Sequence, residues 1–342
     1  MKLRGAVALL LAVIAGGTAL PTAALDATEL ALVVNLDDPV SIASGVYYSE
    51  RRRLPVANVI KIHLGVPREV LSPEAFAQVY ATVQAHTPPT VQGYALAWTL
   101  PYRVGCMSIT SAFAFGYSTR FCAEGCKSTA PNPYFDTLSH RPYADFRLRP
   151  AMLLAARTFE NAEQLIDRGI RSDGLNPRGT AYLVVTKDPA RGTRAPAFQA
   201  AKLHHGTRLP IELLATNMLR DRFDVMFYFT GAVEVLGLKT LGFLPGAVAD
   251  HLTSAGGALN GTHQMSALRW LEAGATGSFG AVVEPCNFPQ KFPDPDVLMK
   301  YYLAGETLLE AYWKSVVWPG QGVFIGEPLA APFRAPKPAA SE

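Results

Sequence analysis

The first part of the chain alternates between short apolar runs and amphipathic segments. Leu30–Asn35 is an apolar run typical of a buried strand, and residues 41–53 have the spacing of an amphipathic helix. Residues 59–64 alternate apolar and polar positions as a second strand would, and residues 92–100 give a third. Because helix-length segments separate these strands, the pattern predicts a parallel sheet with right-handed crossovers.

The same rhythm returns in the second part of the chain. Helices are predicted over residues 158–168 and 264–274 and from Thr307, where Thr307 and Glu310 have the spacing of a capping box. Further strands are predicted at residues 181–186, 225–229, 246–249, 277–283 and 322–326. The predicted fold class is therefore α/β, a mostly parallel sheet or sheets with helices on both faces, built as two successive α/β halves over residues 25–155 and 156–333.

The alternation of strands and helices stops over residues 101–149. This long loop-like segment contains Cys106, Cys122 and Cys126. A segment of this length in a compact protein is usually functional or cross-linked. With Cys286 the chain has four cysteines, so two disulfides are expected, and three connectivities are open. A metal site through Cys122 and Cys126 would lack further nearby ligands, and we predict no metal.

The N-terminus has the pattern of a cleavable signal peptide. Basic residues at 2 and 4 precede an uncharged apolar stretch over residues 5–20, and small residues lead up to Ala24, near which cleavage is expected. Gly16 and Gly17 break the stretch, which is shorter than the roughly 20 apolar residues of a spanning helix. We therefore predict a periplasmic or secreted protein with no membrane span, and a disordered tail over residues 334–342, which are rich in Pro and Ala.

Charge and motifs exclude several classes of function. The net charge is only +3, and the one basic cluster, Arg51 to Arg53, lies where it complements the end of a predicted helix, so no nucleic-acid partner is expected. Neither a Gly-x-Gly-x-x-Gly motif after the first strand nor a Walker lysine motif is present. We predict no cofactor.

Polar residues follow two consecutive strands in the second half. In parallel sheets the carboxyl ends of strands carry the ligand, and strands joined by one helix are usually neighbours. A histidine and a cysteine on adjacent strand ends would suit a cysteine hydrolase, in which a thiolate attacks a carbonyl and an imidazole moves the proton. The residues at these two tips are Asp250, His251, Thr253 and Ser254 after the first strand, and Glu284 and Cys286 after the second.

Two features oppose a reactive Cys286. The carboxylate of Glu284 would disfavour a thiolate beside it. In an oxidising compartment Cys286 is equally suited to a disulfide, and His251 to a structural role in the glycine-rich loop. A metal site of Asp250, His251, His263 and Glu284 has no supporting ligand spacing.

Several segments resemble an uncharacterised family of exported bacterial proteins, whose architecture is similar to that of the gingipain-type cysteine peptidases, relatives of the caspase fold. The resemblance covers the whole mature chain and is carried by residues 32–39, 47–48, 54–58, 100–104, 250–254, 274–280 and 326–329. It implies a catalytic histidine after one strand and a catalytic cysteine after the next. His251 and Cys286, 35 residues apart, have this order, although Leu252 stands where glycine is expected.

A second alignment to the same peptidases is also open. It matches Thr230-Gly231 to the histidine-glycine position and puts Asp250, His251 and Thr253 near the cysteine position, so both catalytic residues would be lost. The Gly-Ala segment at residue 274 and the Gly-Glu-Pro segment at residue 326 then fall in the family's order.

Two functions follow. In the first, the protein is a cysteine peptidase or amidase in which His251 is the general base, Cys286 is the nucleophile, and backbone amides near Gly256 and Gly257 stabilise the oxyanion. In the second, it is an inactive relative that binds a peptide or an envelope component while Cys286 sits in a disulfide. Ligand contacts are predicted from Asp250, Thr253, Ser254 and Glu284.

Overall fold

A computed structural model describes residues 24–123 and 125–335. The predicted signal peptide, apart from Ala24, and the predicted tail beyond residue 335 lie outside the described residues.

Ten strands form one large sheet, and the helices pack on both of its faces. In chain order the strands of the large sheet are β1 (Leu30–Asn35), β2 (Val59–Ile62), β4 (Gly93–Leu96), β7 (Ala151–Leu153), β8 (Thr180–Val185), β9 (Ile211–Ala215), β10 (Arg222–Gly231), β11 (Leu241–Leu252), β12 (Gly277–Ala281) and β13 (Gly322–Gly326). A small second sheet contains β3 (Val70–Leu71), β5 (Arg103–Val104) and β6 (Met107–Ser108).

The helices alternate with these strands through most of the chain. They are α1 (Pro39–Arg52), α2 (Pro73–His86), α3 (Ile109–Phe115), α4 (Pro142–Phe146), α5 (Phe159–Ser172), α6 (Ala195–His205), α7 (Leu268–Ala273), α8 (Pro295–Leu303) and α9 (Leu308–Lys314). Within the described ranges, none of them has the length and apolarity needed to cross a membrane.

Side-chain caps explain where several helices begin. Asp38, Ser72 and Thr158 each accept a hydrogen bond from a backbone N–H in the first turn of α1, α2 and α5. Thr307 and Glu310 form the predicted capping box at the start of α9. These local interactions satisfy N–H groups that have no partner within the helix.

The strand order is β2-β1-β4-β7-β13-β12-β11-β10-β8-β9. Every neighbouring pair is parallel except β12 and β13, which are antiparallel. The sheet therefore consists of two parallel halves that run in opposite directions. One half ends at β13 and the other at β12, and these two strands pair at the junction. The predicted α/β class with a mostly parallel sheet and helices on both faces is confirmed.

The described residues form three apolar cores, and the first two lie on opposite faces of the sheet. In β1, Leu30, Leu32 and Val34 belong to the core that also contains α8 and α9, whereas Ala31 and Val33 belong to the core that contains α2 and α3. This alternation is the period of two expected of a strand buried on both faces.

The segment over residues 101–149 is more ordered than a loop. It contains α3, α4, β5 and β6, and the hydroxyl groups of Thr110 and Ser111 donate to the backbone oxygens of Gly322 and Pro319. Strands of two residues and a helix of seven leave no periodic pattern that sequence could reveal. The segment packs beside β13, against the middle of the large sheet.

Candidate functional site

The predicted site residues lie at the carboxyl ends of two neighbouring strands, β11 and β12. Strand β11 continues to Leu252, three residues beyond the predicted end at residue 249. Asp250 and His251 therefore lie inside the strand rather than after it, and both are fully buried. Because consecutive strand residues point to opposite faces, the two side chains enter different cores.

His251 is held on both sides of its ring. Trp270 Nε1 donates to Nδ1 at 2.9 Å, and Nε2 lies 3.0 Å from the backbone oxygen of Met265. These partners place the ring proton on Nε2, and burial lowers the pKa of His251 to about 4. The ring is thus a neutral part of the core, with no free nitrogen to accept a proton from a nucleophile.

Asp250 forms a buried ion pair with Arg194, which we call the Asp250 pair. Asp250 Oδ1 lies 2.6 Å from Arg194 Nη1, and both side chains are at least 98% buried. Arg194 also donates to the backbone oxygens of Thr230 at 2.7 Å and Pro293 at 3.3 Å. Burial raises the pKa of Asp250 to about 6, against the opposing charge of Arg194. The predicted ligand role of Asp250 needs correction, because its carboxylate faces the core and not solvent.

All four cysteines form disulfides. Cys106 pairs with Cys122 and Cys126 pairs with Cys286, with Cα–Cα distances of 5.5 and 5.3 Å. These distances lie in the usual range for a disulfide. Cys286 therefore has no thiol, and the hypothesis of a His251–Cys286 catalytic pair needs correction for the oxidised protein.

The turn around Cys286 is braced by Glu284. The backbone N–H of Cys286 donates to Glu284 Oε1 at 2.7 Å, and Cys286 and Asn287 both have left-handed backbone conformations, with φ of 56° and 50°. A non-glycine residue with positive φ is uncommon and needs support from its surroundings. The disulfide and the Glu284 carboxylate supply that support.

Four of the six predicted residues do come together at the surface. They line a cleft of about 270 Å³ at the carboxyl ends of β11 and β12, which we call the β11–β12 cleft. Its lining includes Thr253, Ser254, Glu284 and Cys286 together with Arg191 and Asn287. The predicted placement of these residues at one edge of the sheet thus agrees with the structure.

Arg191 is the residue of the cleft that sequence reasoning missed. Its Nε donates to Thr253 Oγ1 at 3.2 Å, and its Nη1 lies 2.7 Å from Asp188 Oδ2. The loop that carries Arg191 can lie against the end of β10 because Gly231 has no side chain, since a Cβ there would overlap the Arg191 carbonyl oxygen. This approach is non-local, and the only local clue is the i, i+3 spacing of Asp188 and Arg191.

In the glycine-rich loop, the backbone N–H of Gly257 is not free to act as the predicted oxyanion donor. The backbone N–H of Gly257 donates to the carbonyl oxygen of Ala281 at 2.8 Å, and the Gly256 oxygen accepts from Ala267 N at 2.7 Å. Both glycines are buried against β12. The loop is a packing element, since these backbone groups are already paired.

A second group of charged side chains lies under the start of the described chain, and sequence reasoning missed it entirely. It consists of His140, Glu306, Glu310 and Lys314, which we call the Glu310 cluster. His140 Nδ1 lies 3.0 Å from Glu310 Oε1, and Lys314 Nζ lies 2.7 Å from Glu306 Oε2. Glu310 and Lys314 are four residues apart on α9, which is the local clue to their contact, whereas Glu306 lies just before the N-cap Thr307.

The two carboxylates of this cluster differ in their surroundings. Burial and the charge of Glu310 raise the pKa of Glu306 to about 7. Burial also acts on Glu310, but its hydrogen bond with His140, the charge of Lys314 and the bonds from Thr307 outweigh it and lower the Glu310 pKa. His140, Glu306 and Glu310 have ligand atoms within 4.8 Å of one another, as a metal site would, but the Lys314 ammonium group already contacts Glu306.

Comparison with known proteins adds little to this geometry. No protein-family model matches the chain, and the search of curated proteins finds no match. A solved structure described as "Structure of Protease" is 10% identical, with 92% of this chain and 82% of that chain covered and a TM-score of 0.49. At this level the likeness carries no argument about fold or chemistry, so the function has to be argued from the site itself.

Proposed function

We propose that this chain is an exported binding protein without hydrolase activity, and that its ligand is a short peptide segment or another polar envelope component held in the β11–β12 cleft. The observation that carries the proposal is the Cys126–Cys286 disulfide, whose Cys286 lines that cleft. A sulfur atom in a disulfide offers no thiolate for attack on a carbonyl.

The environment of His251 supports the same conclusion. A general base must lie within hydrogen-bond reach of the proton that it removes. Both ring nitrogens of His251 are occupied by Trp270 and Met265, and the side chain is fully buried. A hydrolase would therefore need a rearrangement of the core as well as reduction of a disulfide.

The lining of the cleft supports a polar ligand. Arg191 and Glu284 supply charges of opposite sign, and Thr253 and Ser254 supply hydroxyl groups. Peptide backbone offers both donors and acceptors for such groups. Small-molecule sites commonly occupy about 300–1,000 Å³, so a cleft of about 270 Å³ suits one or two residues of an extended segment.

The catalytic alternative can be tested by freeing each sulfur in turn. The folded, non-reduced protein should not react with iodoacetamide. Cys126→Ser should expose the Cys286 thiol to alkylation, and Cys122→Ser, which frees Cys106, is the matched control. We expect the alkylation rate of Cys126→Ser to be unchanged by His251→Gln. If the added substitution slows alkylation, or if Cys126→Ser hydrolyses peptide substrates, the protein is a latent hydrolase and the proposal is wrong.

The binding function needs a direct test. Hydrogen exchange can be measured on the non-reduced protein with and without a mixture of synthetic tetrapeptides, and separately with soluble peptidoglycan fragments. Protection should appear at residues 252–254 and 284–287 and should be lost in Ser254→Trp, which fills the cleft. Val66→Trp is the control, because Val66 lines a separate cleft of about 310 Å³. Protection confined to that other cleft, or none with either probe, contradicts the proposal.

A further inference from the structure

Leu25, the second residue of the described chain, is buried and held by two hydrogen bonds. Ala24 is half-buried, whereas Leu25 is fully buried. The backbone nitrogen of Leu25 lies 3.1 Å from Glu310 Oε2, and its carbonyl oxygen accepts from Arg334 Nη2 at 2.8 Å. The first residues of the described chain are thus fixed directly onto the Glu310 cluster.

This cluster carries more negative than positive charge. Glu306 and Glu310 are two buried carboxylates, and Lys314 is the one permanent cation among them, since His140 contacts both carboxylates but is charged only when protonated. Glu310 Oε2 also accepts from the Thr307 backbone N–H at 3.0 Å and from Thr307 Oγ1 at 2.7 Å. Nearby, the fully buried hydroxyl of Tyr134 has no hydrogen-bond partner among the described residues. Buried charges are costly unless they are paired, so a second cation is expected here.

We propose that the peptide bond between Ala24 and Leu25 is a processing site, and that the α-ammonium group released on Leu25 forms a buried ion pair with Glu310. The residue before this bond is a small alanine, as peptidases of the export pathway require. In the reaction water adds to the carbonyl carbon of Ala24 and the C–N bond breaks. Ala24 keeps the new carboxylate, and the Leu25 nitrogen leaves as an amine that takes up a proton.

The change converts an amide N–H into a cation at the same position. An ammonium group has three donors and a full positive charge, and charge-assisted hydrogen bonds are about twice as strong as neutral ones. With this group, Lys314 and the Leu25 ammonium group face the two carboxylates even when His140 is neutral. A metal ion is a poorer fit, because Lys314 Nζ and Leu25 N already contact the oxygen atoms that a metal ion would use.

Other charged groups around the new terminus are consistent with a cation. Burial raises the pKa of Glu29, and nearby Asp26 and Glu310 raise it further, while Arg141 lowers it. A positive charge on Leu25 would reduce this repulsion. Arg334 binds the Leu25 carbonyl oxygen and so contacts the same residue from its other side.

The first test is the identity of the mature terminus. The full-length chain is expressed with export, purified, and analysed by N-terminal sequencing and intact mass. The expected first residue is Leu25. A terminus at any other residue, or an unprocessed chain, overturns the proposal.

The second test separates the ion pair from cleavage alone. The mature protein is compared with the same chain extended by Ala24, each with Glu310 and with Glu310→Gln. The extension should lower the melting temperature by about 2–4 °C with Glu310 and by much less with Glu310→Gln. An equal effect in both backgrounds means that no ion pair forms, and Glu272→Gln, which pairs with Arg157 and Arg269 instead, serves as the control carboxylate.

A chemical measurement decides the question if Glu310→Gln does not fold. In the folded mature protein, reductive methylation of the Leu25 amine should be at least about tenfold slower than in the urea-unfolded protein. An amine that reacts equally fast in both states contradicts burial against Glu310. This readout depends on the terminus alone and not on ligand binding at the β11–β12 cleft.

Discussion

The Asp250 pair and the Glu310 cluster are both buried and charged, but they differ in balance. The Asp250 pair matches one carboxylate with one guanidinium group, and Arg194 has further partners in backbone oxygens. The Glu310 cluster has two carboxylates for one lysine. Its position at the end of a predicted strand made Asp250 a candidate ligand residue. Its carboxylate is instead buried against Arg194 and inaccessible to a ligand. We therefore assign the further positive charge to the Glu310 cluster, where carboxylates outnumber lysines, and not to the strand end that carries Asp250.

The largest expected effect comes from breaking the balanced pair. Arg194→Met would leave the Asp250 carboxylate buried without a cation, and loss of one partner of a buried pair costs about 3–5 kcal/mol. Urea denaturation at pH 7 measures the change in the free energy of unfolding. Arg191→Met is the matched control, because its partly exposed pair with Asp188 should contribute less than about 1 kcal/mol. Equal losses in the two variants would mean that the Asp250 pair does not act as a buried ion pair.

The neighbour of Asp250 on β11 provides the second prediction. Because the pKa of His251 is lowered to about 4 in the folded state, the unfolded chain binds more protons between pH 6.5 and 4. Stability should therefore fall as the pH drops through this window, by about 3 kcal/mol in total. Denaturation curves at several pH values should show a flatter profile for His251→Gln. An equally steep profile in His251→Gln would contradict the prediction.

The unbalanced cluster should respond to pH in the opposite direction. The pKa of Glu306 is raised to about 7, so the folded state binds more protons than the unfolded state above pH 4.5. Stability is then lost as the pH rises towards 7, by at least about 1 kcal/mol, the value of one pKa unit. Glu306→Gln should remove this loss, whereas Glu272→Gln at the surface should not. The loss should be larger in the chain extended by Ala24 than in the mature protein, and the reverse order would contradict the proposed ion pair.

Local patterns predicted the elements that depend on local physics. The apolar run of β1 and the capping box at Thr307 needed only neighbouring residues, and the structure has them as predicted. Strand β7 was missed because its three residues follow Pro150 and offer no alternation to detect. The adjacency of β11 and β12 was also predictable, since one helical segment joins them.

The features that decide function were non-local. Cys126 and Cys286 are 160 residues apart, and the three open connectivities gave no reason to choose this pair. The contact of Trp270 with His251 and the approach of Arg191 to Gly231 arise only when the sheet is assembled. Sequence thus located the edge of the sheet where residues gather, but not which of them face solvent.

The position of β13 has a consequence for the order of events during biosynthesis. This strand is the last of the thirteen along the described chain, yet it lies between β7 and β12 and is the only junction between the two halves of the sheet. A polypeptide is made and translocated from its N-terminus, and domains generally fold as units. The large sheet therefore cannot close until residue 326 has left the ribosome. A late central strand delays the joining of the two halves of the sheet until nearly all of the described chain has been made.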